Sequence, residues 1–215
     1  MDVKQLSLDA DIRMSLAHCI LATLEDAMPG SLALLRGSLA KGSADAYSDI
    51  DILWEVPDEL FQIAIEGIAA ILAKASKVES LRFDPNFQNS DKHRLIFVQF
   101  EDMPLFWRVD IDIFARSIQR NPEYDVHNVS ARGNDWSSTH SALMNVIAAL
   151  KALLRGKQEQ ARQFLVRGFE RVGLTTPAGT PQELIIELTT RIAEMDPAKT
   201  ELTHKIRELH QQVFD

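Results

Sequence analysis

Two aspartates, Asp49 and Asp51, flank one apolar residue and are the first candidates for chemistry. Residues 50–56 are rich in β-forming residues and stop at Pro57, so they predict a strand whose period-two geometry puts both carboxylates on one face. Adjacent carboxylates repel each other unless a cation lies between them. Carboxylate oxygens suit Mg²⁺, which proteins commonly hold together with substrate phosphates. The pair therefore predicts a magnesium site.

Gly37 and Ser38 form the second candidate group, at the end of a short apolar run over residues 31–35. Glycine lets the backbone approach a ligand closely, and the Ser38 hydroxyl with neighbouring N–H groups can receive phosphate oxygens. Lys41, one helical turn beyond Ser38, adds a positive charge on the same side. These residues predict a phosphate-binding turn that leads into the strand with the two aspartates.

Asp110 and Asp112 alternate with apolar residues in a third segment, residues 105–114. If this strand neighbours the first, three carboxylates converge, enough to hold two metal ions and to take a proton from an attacking hydroxyl. The spacing does not choose between the two aspartates. A solvated strand face, with Arg108 pairing locally, is the alternative interpretation of this segment.

Hydrophobic periodicity and Gly or Pro breaks predict the elements that position these residues. Strands are predicted at 31–35, 50–56, 78–83, 93–100 and 105–114, and helices at 8–28, 58–77, 137–155, 157–172, 181–195 and 198–213. The predicted fold class is α+β. Residues 1–118 form a domain with a mixed β-sheet flanked by helices, and residues 119–215 form an all-helical domain.

The composition limits the partners of the chain. Its 215 residues include 31 acidic and 23 basic side chains, for a net charge of −8, which argues against nucleic acid because phosphate contacts need Lys or Arg. No apolar run is long enough to cross a membrane, and the N-terminus lacks signal-peptide features. The lone Cys19 cannot form an internal disulfide and is predicted to be a buried thiol. We expect a cytoplasmic protein without membrane or nucleic-acid partners.

The three chemical segments resemble the signature of the nucleotidyltransferase superfamily that includes DNA polymerase β. Gly37-Ser38 is followed after ten residues by Asp49-Ile-Asp51, and later by a strand with an acid. The run Tyr47-Ser-Asp-Ile-Asp-Ile-Leu53, the chain length and the helical second half most resemble the bacterial aminoglycoside and lincosamide nucleotidyltransferases. The resemblance implies an N-terminal nucleotidyltransferase fold that carries the active site.

The resemblance also implies roles for single residues. Two Mg²⁺ ions are held by Asp49, Asp51 and Asp110, and Asp112 is the alternative to Asp110 as the third catalytic carboxylate. ATP or another nucleoside triphosphate is contacted by Gly37, Ser38, Lys41, Ser48 and Lys151. The implied reaction moves a nucleoside monophosphate, AMP when ATP is the donor, to a hydroxyl of a small molecule and releases pyrophosphate. An aminoglycoside or lincosamide acceptor would make the protein an antibiotic-resistance enzyme.

Two alternatives stay open. One is a nucleotidyltransferase that acts on protein or RNA, as antitoxin-like relatives do, although the helical half and the acidic balance argue against it. The other is a non-catalytic nucleotide-binding scaffold, which the retention of every acid and of the Gly-Ser pair argues against. The sequence leaves both a monomer and a homodimer open.

Overall fold

A computed structural model describes residues 8–101, 103–121 and 123–214 of the chain. Over these residues the chain forms five β-strands and seven α-helices. The strands are β1 (Leu32–Leu35), β2 (Ile50–Val56), β3 (Val78–Phe83), β4 (His93–Phe100) and β5 (Val109–Ala115). The helices are α1 (Ala10–Ala27), α2 (Gly37–Ala40), α3 (Phe61–Leu72), α4 (Ser138–Leu154), α5 (Gln158–Arg171), α6 (Pro181–Met195) and α7 (Thr200–Phe214).

The five strands form one sheet in the order β1-β2-β5-β4-β3. Strands β2 and β5 are parallel, and the other three neighbouring pairs are antiparallel. The predicted α+β class with a mixed sheet is therefore confirmed. The parallel pair matters most for function, because it joins the two segments that carry the candidate carboxylates.

One face of the sheet is covered by helices α1 and α3. Alternate residues of β2, such as Ile50, Ile52 and Trp54, are fully or almost fully buried in this core, together with Ile111 of β5 and apolar residues of both helices. Burial of large apolar side chains stabilises the fold. The opposite sheet face keeps the polar residues of β2 and β5, because successive side chains of a strand alternate in direction.

Three local predictions are wrong. The strand predicted at 105–114 begins at Val109, because a turn precedes it in which the Trp107 N–H donates to the Pro104 carbonyl at 2.8 Å. The helix predicted at 58–77 is shorter, since it begins at Phe61 after a 3-10 turn and ends at Leu72. Cys19 lies on α1 as predicted but is exposed, because the buried stripe of that helix lies on its other residues.

The chain divides into two compact units, the first ending at Asp135 and the second beginning at Trp136, whereas the sequence predicts a domain boundary between residues 118 and 119. The intervening residues pack on the first unit. For example, the Asn89 N–H donates to the carbonyl of Ala131 at 2.8 Å. Polar, turn-rich residues gave no sequence signal for this packing, because backbone hydrogen bonds do not depend on side-chain type.

The second unit consists of helices α4 to α7. Its predicted all-helical character is confirmed for the described residues. Helix α6 begins with a capping box, in which the Thr180 hydroxyl accepts from the Glu183 N–H and the Glu183 carboxylate accepts from the Thr180 N–H. None of the helices in the described part of the chain has the length and apolarity to cross a bilayer.

Candidate active site

The parallel pairing of β2 with β5 brings the candidate carboxylates together. Asp51 lies opposite Asp110, and Leu53 lies opposite Asp112, while Asp49 immediately precedes β2. Residues in register on neighbouring strands share a face, so Asp51 and Asp110 are side by side. Asp112 lies on the same face but two residues farther along β5. The register therefore favours Asp110 over Asp112 as the carboxylate nearest to Asp51.

Gly37 holds the backbone of the turn against Asp51. Its φ of +60° lies in the left-handed region, and a Cβ built on it would be 2.9 Å from Cγ of Asp51. The neighbouring Arg36 N–H donates to the Asp51 carbonyl at 2.7 Å. A cavity of about 280 Å³ opens beside this contact, and Asp110 and Asp112 are among its lining residues. Glycine is required here both for its φ and for the space that its missing side chain leaves.

Asp110 is clamped by Arg108. The guanidinium donates through Nε to Oδ1 and through Nη2 to Oδ2, both at 2.6 Å. Burial raises the pKa of Asp110; Arg108 opposes that rise, and the negative charges of Asp49 and Asp51 add to it. Burial alone would lower the pKa of Arg108, but the charge and hydrogen bonds of Asp110, together with the charges of Asp49 and Asp51, raise the net pKa. Four ionised groups are thus electrostatically coupled at one place.

The donor set suits a hard divalent cation. Asp49 and Asp51 supply carboxylate oxygens beside a glycine turn, which is the chemistry that Mg²⁺ prefers. Among the described residues, no three His, Cys, Asp or Glu side chains form a ready metal-binding group. Both oxygens of Asp110 accept hydrogen bonds from Arg108, so Arg108 has to release Asp110 before that carboxylate can serve as a third ligand.

Asp112 is held by two other partners. Its Oδ2 accepts from Nη1 of Arg36 at 2.6 Å, and its Oδ1 lies 2.7 Å from Nε2 of His93. The buried His93 ring lies between the rings of Phe87 and Phe114, with centroids 4.0 and 4.2 Å away. Asp112 therefore links the turn after β1 to strand β4. These contacts indicate that Asp112 stabilises the fold.

The loop that carries Asp49 is fixed from two distant parts of the chain. Arg13 of α1 donates to the carbonyls of Asp45 and Ser48 at 2.5 and 3.2 Å, and Nε1 of Trp107 donates to the carbonyl of Ala46 at 2.9 Å. The Arg13 guanidinium also lies over the indole, 5.6 Å from its centroid. Sequence reasoning missed Arg13; its signal was a basic residue inside the buried stripe of an amphipathic helix.

The remaining predicted residues lie in different settings. Ser38 is half-buried in α2, and Lys41 is exposed at the end of that helix. The hydroxyl of Ser48 is buried and exchanges hydrogen bonds with Asp45, so it holds the loop together. Lys151 is buried on α4, in the second unit. The first unit thus brings together Gly37, Asp49, Asp51 and Asp110, and Ser38 follows Gly37 on α2.

No family model matches the sequence, and no curated protein matches it either. Solved structures that resemble the chain include the GLD-2/RNP-8 complex, at 13% identity and a TM-score of 0.37, where the match covers 84% of this chain and 76% of that one. Cid1, described as an RNA terminal uridylyl transferase, matches at 15% identity and a TM-score of 0.38, over 66% of this chain and 39% of its own.

A cytoplasmic RNA terminal U-transferase matches at 14% identity and a TM-score of 0.40, over 83% of this chain and 47% of that one. The chain thus spans less than half the length of these last two structures. Similarity of this degree assigns no activity to the chain.

Proposed function

We propose that the chain is a metal-dependent nucleotidyltransferase that transfers a nucleoside monophosphate from a nucleoside triphosphate to a hydroxyl. The observation that carries this proposal is the packing of the Gly37 backbone against Asp51, with Asp110 in register beside it, at the edge of a cavity. A turn with backbone N–H groups can bind the phosphates of a nucleoside triphosphate, and paired carboxylates beside it can bind the metal ion that accompanies those phosphates.

Each residue then has a defined task. Asp49 and Asp51, joined by Asp110, would hold Mg²⁺, and that ion would supply neutralisation of the charge that develops at the α-phosphate. Gly37 and Ser38 bind the phosphates. Lys41, at the end of α2, and Lys151, on α4 of the second unit, are proposed as further phosphate contacts from the family resemblance alone.

The reaction balances as a single displacement. The acceptor oxygen forms a bond to the α-phosphorus, and the bond from that phosphorus to the oxygen bridging to the β-phosphorus breaks. Pyrophosphate leaves with the electron pair of that bond. The hydroxyl proton passes to a site carboxylate, and Asp110 is the one whose raised pKa suits it for the role.

The acceptor has two candidate classes. The motif resemblance favours a small hydroxylated molecule, and an aminoglycoside or lincosamide remains a prediction from that resemblance alone. The second candidate is an RNA end, because two of the similar structures are described as RNA terminal transferases. Both classes offer a hydroxyl, so the proposed chemistry is the same.

Thermal stabilisation by Mg²⁺ and each nucleoside triphosphate tests the proposal directly, because a ligand that binds only the folded state raises its stability. Asp49→Asn and Asp51→Asn should abolish the stabilisation, whereas Asp26→Asn, an exposed position on α1, should not. Pyrophosphate release is then measured with small-molecule and RNA acceptors. Failure of every nucleotide to stabilise the wild type overturns the proposal. Nucleotide binding without pyrophosphate release from any acceptor supports the non-catalytic scaffold instead.

A further inference from the structure

A row of side chains continues across the sheet beyond the carboxylates. Asp110 of β5 lies opposite Phe97 of β4, and Phe97 lies opposite Arg82 of β3. Because Asp51 lies opposite Asp110, one row crosses four strands on a single face. Gly37 adjoins the row at its Asp51 end, and Arg82 ends it on the other side.

Two arginines contact the same aromatic ring in this row. The Cζ atoms of Arg82 and Arg108 lie 5.5 and 5.0 Å from the centroid of Phe97, within the range of cation–π attraction. Burial, followed by the positive charge of Arg108, lowers the pKa of Arg82 to about 10, and the negative charge of Asp110 opposes this. Two guanidinium groups thus lie over one aromatic ring at this end of the row, and that of Arg108 is also paired with Asp110.

A third polar side chain lies on the same face of β4. Gln99 is two residues beyond Phe97 on β4, so the two side chains share a face. Gln99 is 8% exposed, and its buried Nε2 has no hydrogen-bond partner among the described residues. A buried amide without an acceptor destabilises the fold. An oxygen atom of a ligand would supply the acceptor that Gln99 lacks.

We propose that Arg82, Phe97, Gln99 and Arg108, here called the acceptor patch, bind the acceptor and select one that carries a phosphate near its hydroxyl. The inference rests on the proposed function, because it takes the patch as the second subsite of that reaction. In phosphoryl transfer the attacking and leaving oxygens lie roughly in line. With the triphosphate at Gly37, the attacking hydroxyl has to come from the opposite side of the carboxylates, where the patch lies.

The chemistry of the patch selects against the acceptor class first predicted. It offers guanidinium and amide N–H donors, which match phosphate oxygens, and one flat apolar ring, which can pack against a sugar or a base. A polycationic aminoglycoside would meet the like charge of Arg82 there. The phosphate can belong to an RNA terminus or to a small sugar phosphate, and the test separates these two sources.

The acceptor assay uses saturating Mg-nucleotide and compares a short oligoribonucleotide, ribose 5-phosphate, the neutral nucleoside and an aminoglycoside. Arg82→Gln should raise the KM for a phosphate-bearing acceptor roughly tenfold, the effect of losing one charge-assisted hydrogen bond, and leave the KM for the neutral nucleoside unchanged. Arg82→Lys should restore part of the discrimination. Lys77→Gln, which removes an equal charge just before β3, should behave like wild type.

Direct binding of the oligoribonucleotide and of ribose 5-phosphate, measured by calorimetry without nucleotide, tests the patch even if no transfer occurs. The tighter of the two probes identifies the source of the phosphate. The inference is overturned if neither probe binds, if Arg82→Gln binds them as wild type does, or if the aminoglycoside is the better acceptor. If no nucleotide stabilises the wild type in the thermal assay, that result contradicts the proposed function. It does not contradict phosphate binding by the acceptor patch, which the calorimetry measures separately.

Discussion

The backbone of Gly37 lies directly against the carboxylate of Asp51, so that a Cβ on Gly37 would come within 2.9 Å of Asp51 Cγ. These residues are separated by the loop that carries Asp49, yet the antiparallel pairing of β1 with β2 brings them into contact. The contact fixes both the turn and the carboxylate. The smallest enlargement at position 37 should therefore disturb the site more than it disturbs the fold.

Gly37→Ala should abolish stabilisation by Mg-nucleotide. Gly42→Ala is the matched control, because Gly42 also has a positive φ, +65°, but a Cβ there meets nothing within 4 Å. Each substitution should lower the free energy of unfolding by about 1 kcal/mol through left-handed strain. Only the first should displace Asp51. Equal nucleotide stabilisation in the two variants, measured by thermal shift, would show that the contact has no part in binding.

Removal of Arg108 should strengthen divalent-cation binding. Its two hydrogen bonds to Asp110 compete with any metal ion for the same oxygens, so Arg108→Met should lower the Mn²⁺ concentration needed for half-maximal thermal stabilisation several-fold. The measurement is a Mn²⁺ titration without nucleotide.

Arg36→Gln provides the comparison for that titration, since it removes one of the two partners of Asp112 and leaves Asp110 paired with Arg108. It should not strengthen Mn²⁺ binding. The opposite pattern, a gain with Arg36→Gln and none with Arg108→Met, would identify Asp112 as the third carboxylate.

The pH dependence of stability should report the buried carboxyl of Asp110. Because burial raises its pKa in the folded chain, the folded state binds the proton more tightly than the unfolded state does. The ordinary pKa of an aspartate in an unfolded chain is about 3.9. As the pH rises from that value towards the raised pKa of the folded chain, ionisation of Asp110 lowers the stability of the fold, and the loss is complete above the raised pKa. Relative to wild type, Asp110→Asn should become progressively more stable over this rise in pH.

Asp58→Asn supplies a control of opposite sign. Hydrogen bonds from Ser117 lower the pKa of Asp58, so its contribution is present at neutral pH and is lost on acidification. Relative to wild type, Asp58→Asn should become less stable as the pH rises. Urea denaturation at several pH values with EDTA measures both differences, and parallel curves for the two variants would contradict the assignment.

The local hydrophobic pattern predicts most of the strands and helices. It also predicts which candidate carboxylates share a face of one strand. The alternation of Asp51 with Ile50 and Ile52 was enough to predict a strand with one acidic face, and the same reasoning applied to Asp110. The register between the two strands was not predictable, because the hydrophobic pattern says which face is buried and not which residue lies opposite which. The strand register therefore favours Asp110 over Asp112 as the neighbour of Asp51, which the sequence pattern alone could not do.

Contacts between distant residues were the other part that the sequence did not reveal. Arg108 and Asp110 are close in sequence, and the sequence pattern already offers their local pairing as one interpretation of this segment. Arg82 was not predicted, because it approaches Asp110 only through two further strand pairings. The exposure of Cys19 also depends on which face of α1 packs on the sheet, which helical periodicity defines only approximately.

Arg13 and Trp107 should act as positioning residues for Asp49, because both donate to carbonyls of the loop before it. Arg13→Met leaves two carbonyls without their donor and should cost about 1–3 kcal/mol of stability, while Trp107→Phe removes one bond and should cost about 1 kcal/mol. Both should speed amide hydrogen exchange at Ser48 and weaken Mg-nucleotide stabilisation. Ile71→Val on α3 is the control, since it should destabilise the core by a comparable amount without a selective effect at Ser48. If the exchange rate at Ser48 depends only on overall stability, in the same way in all three variants, Arg13 and Trp107 stabilise the fold in general and do not position Asp49.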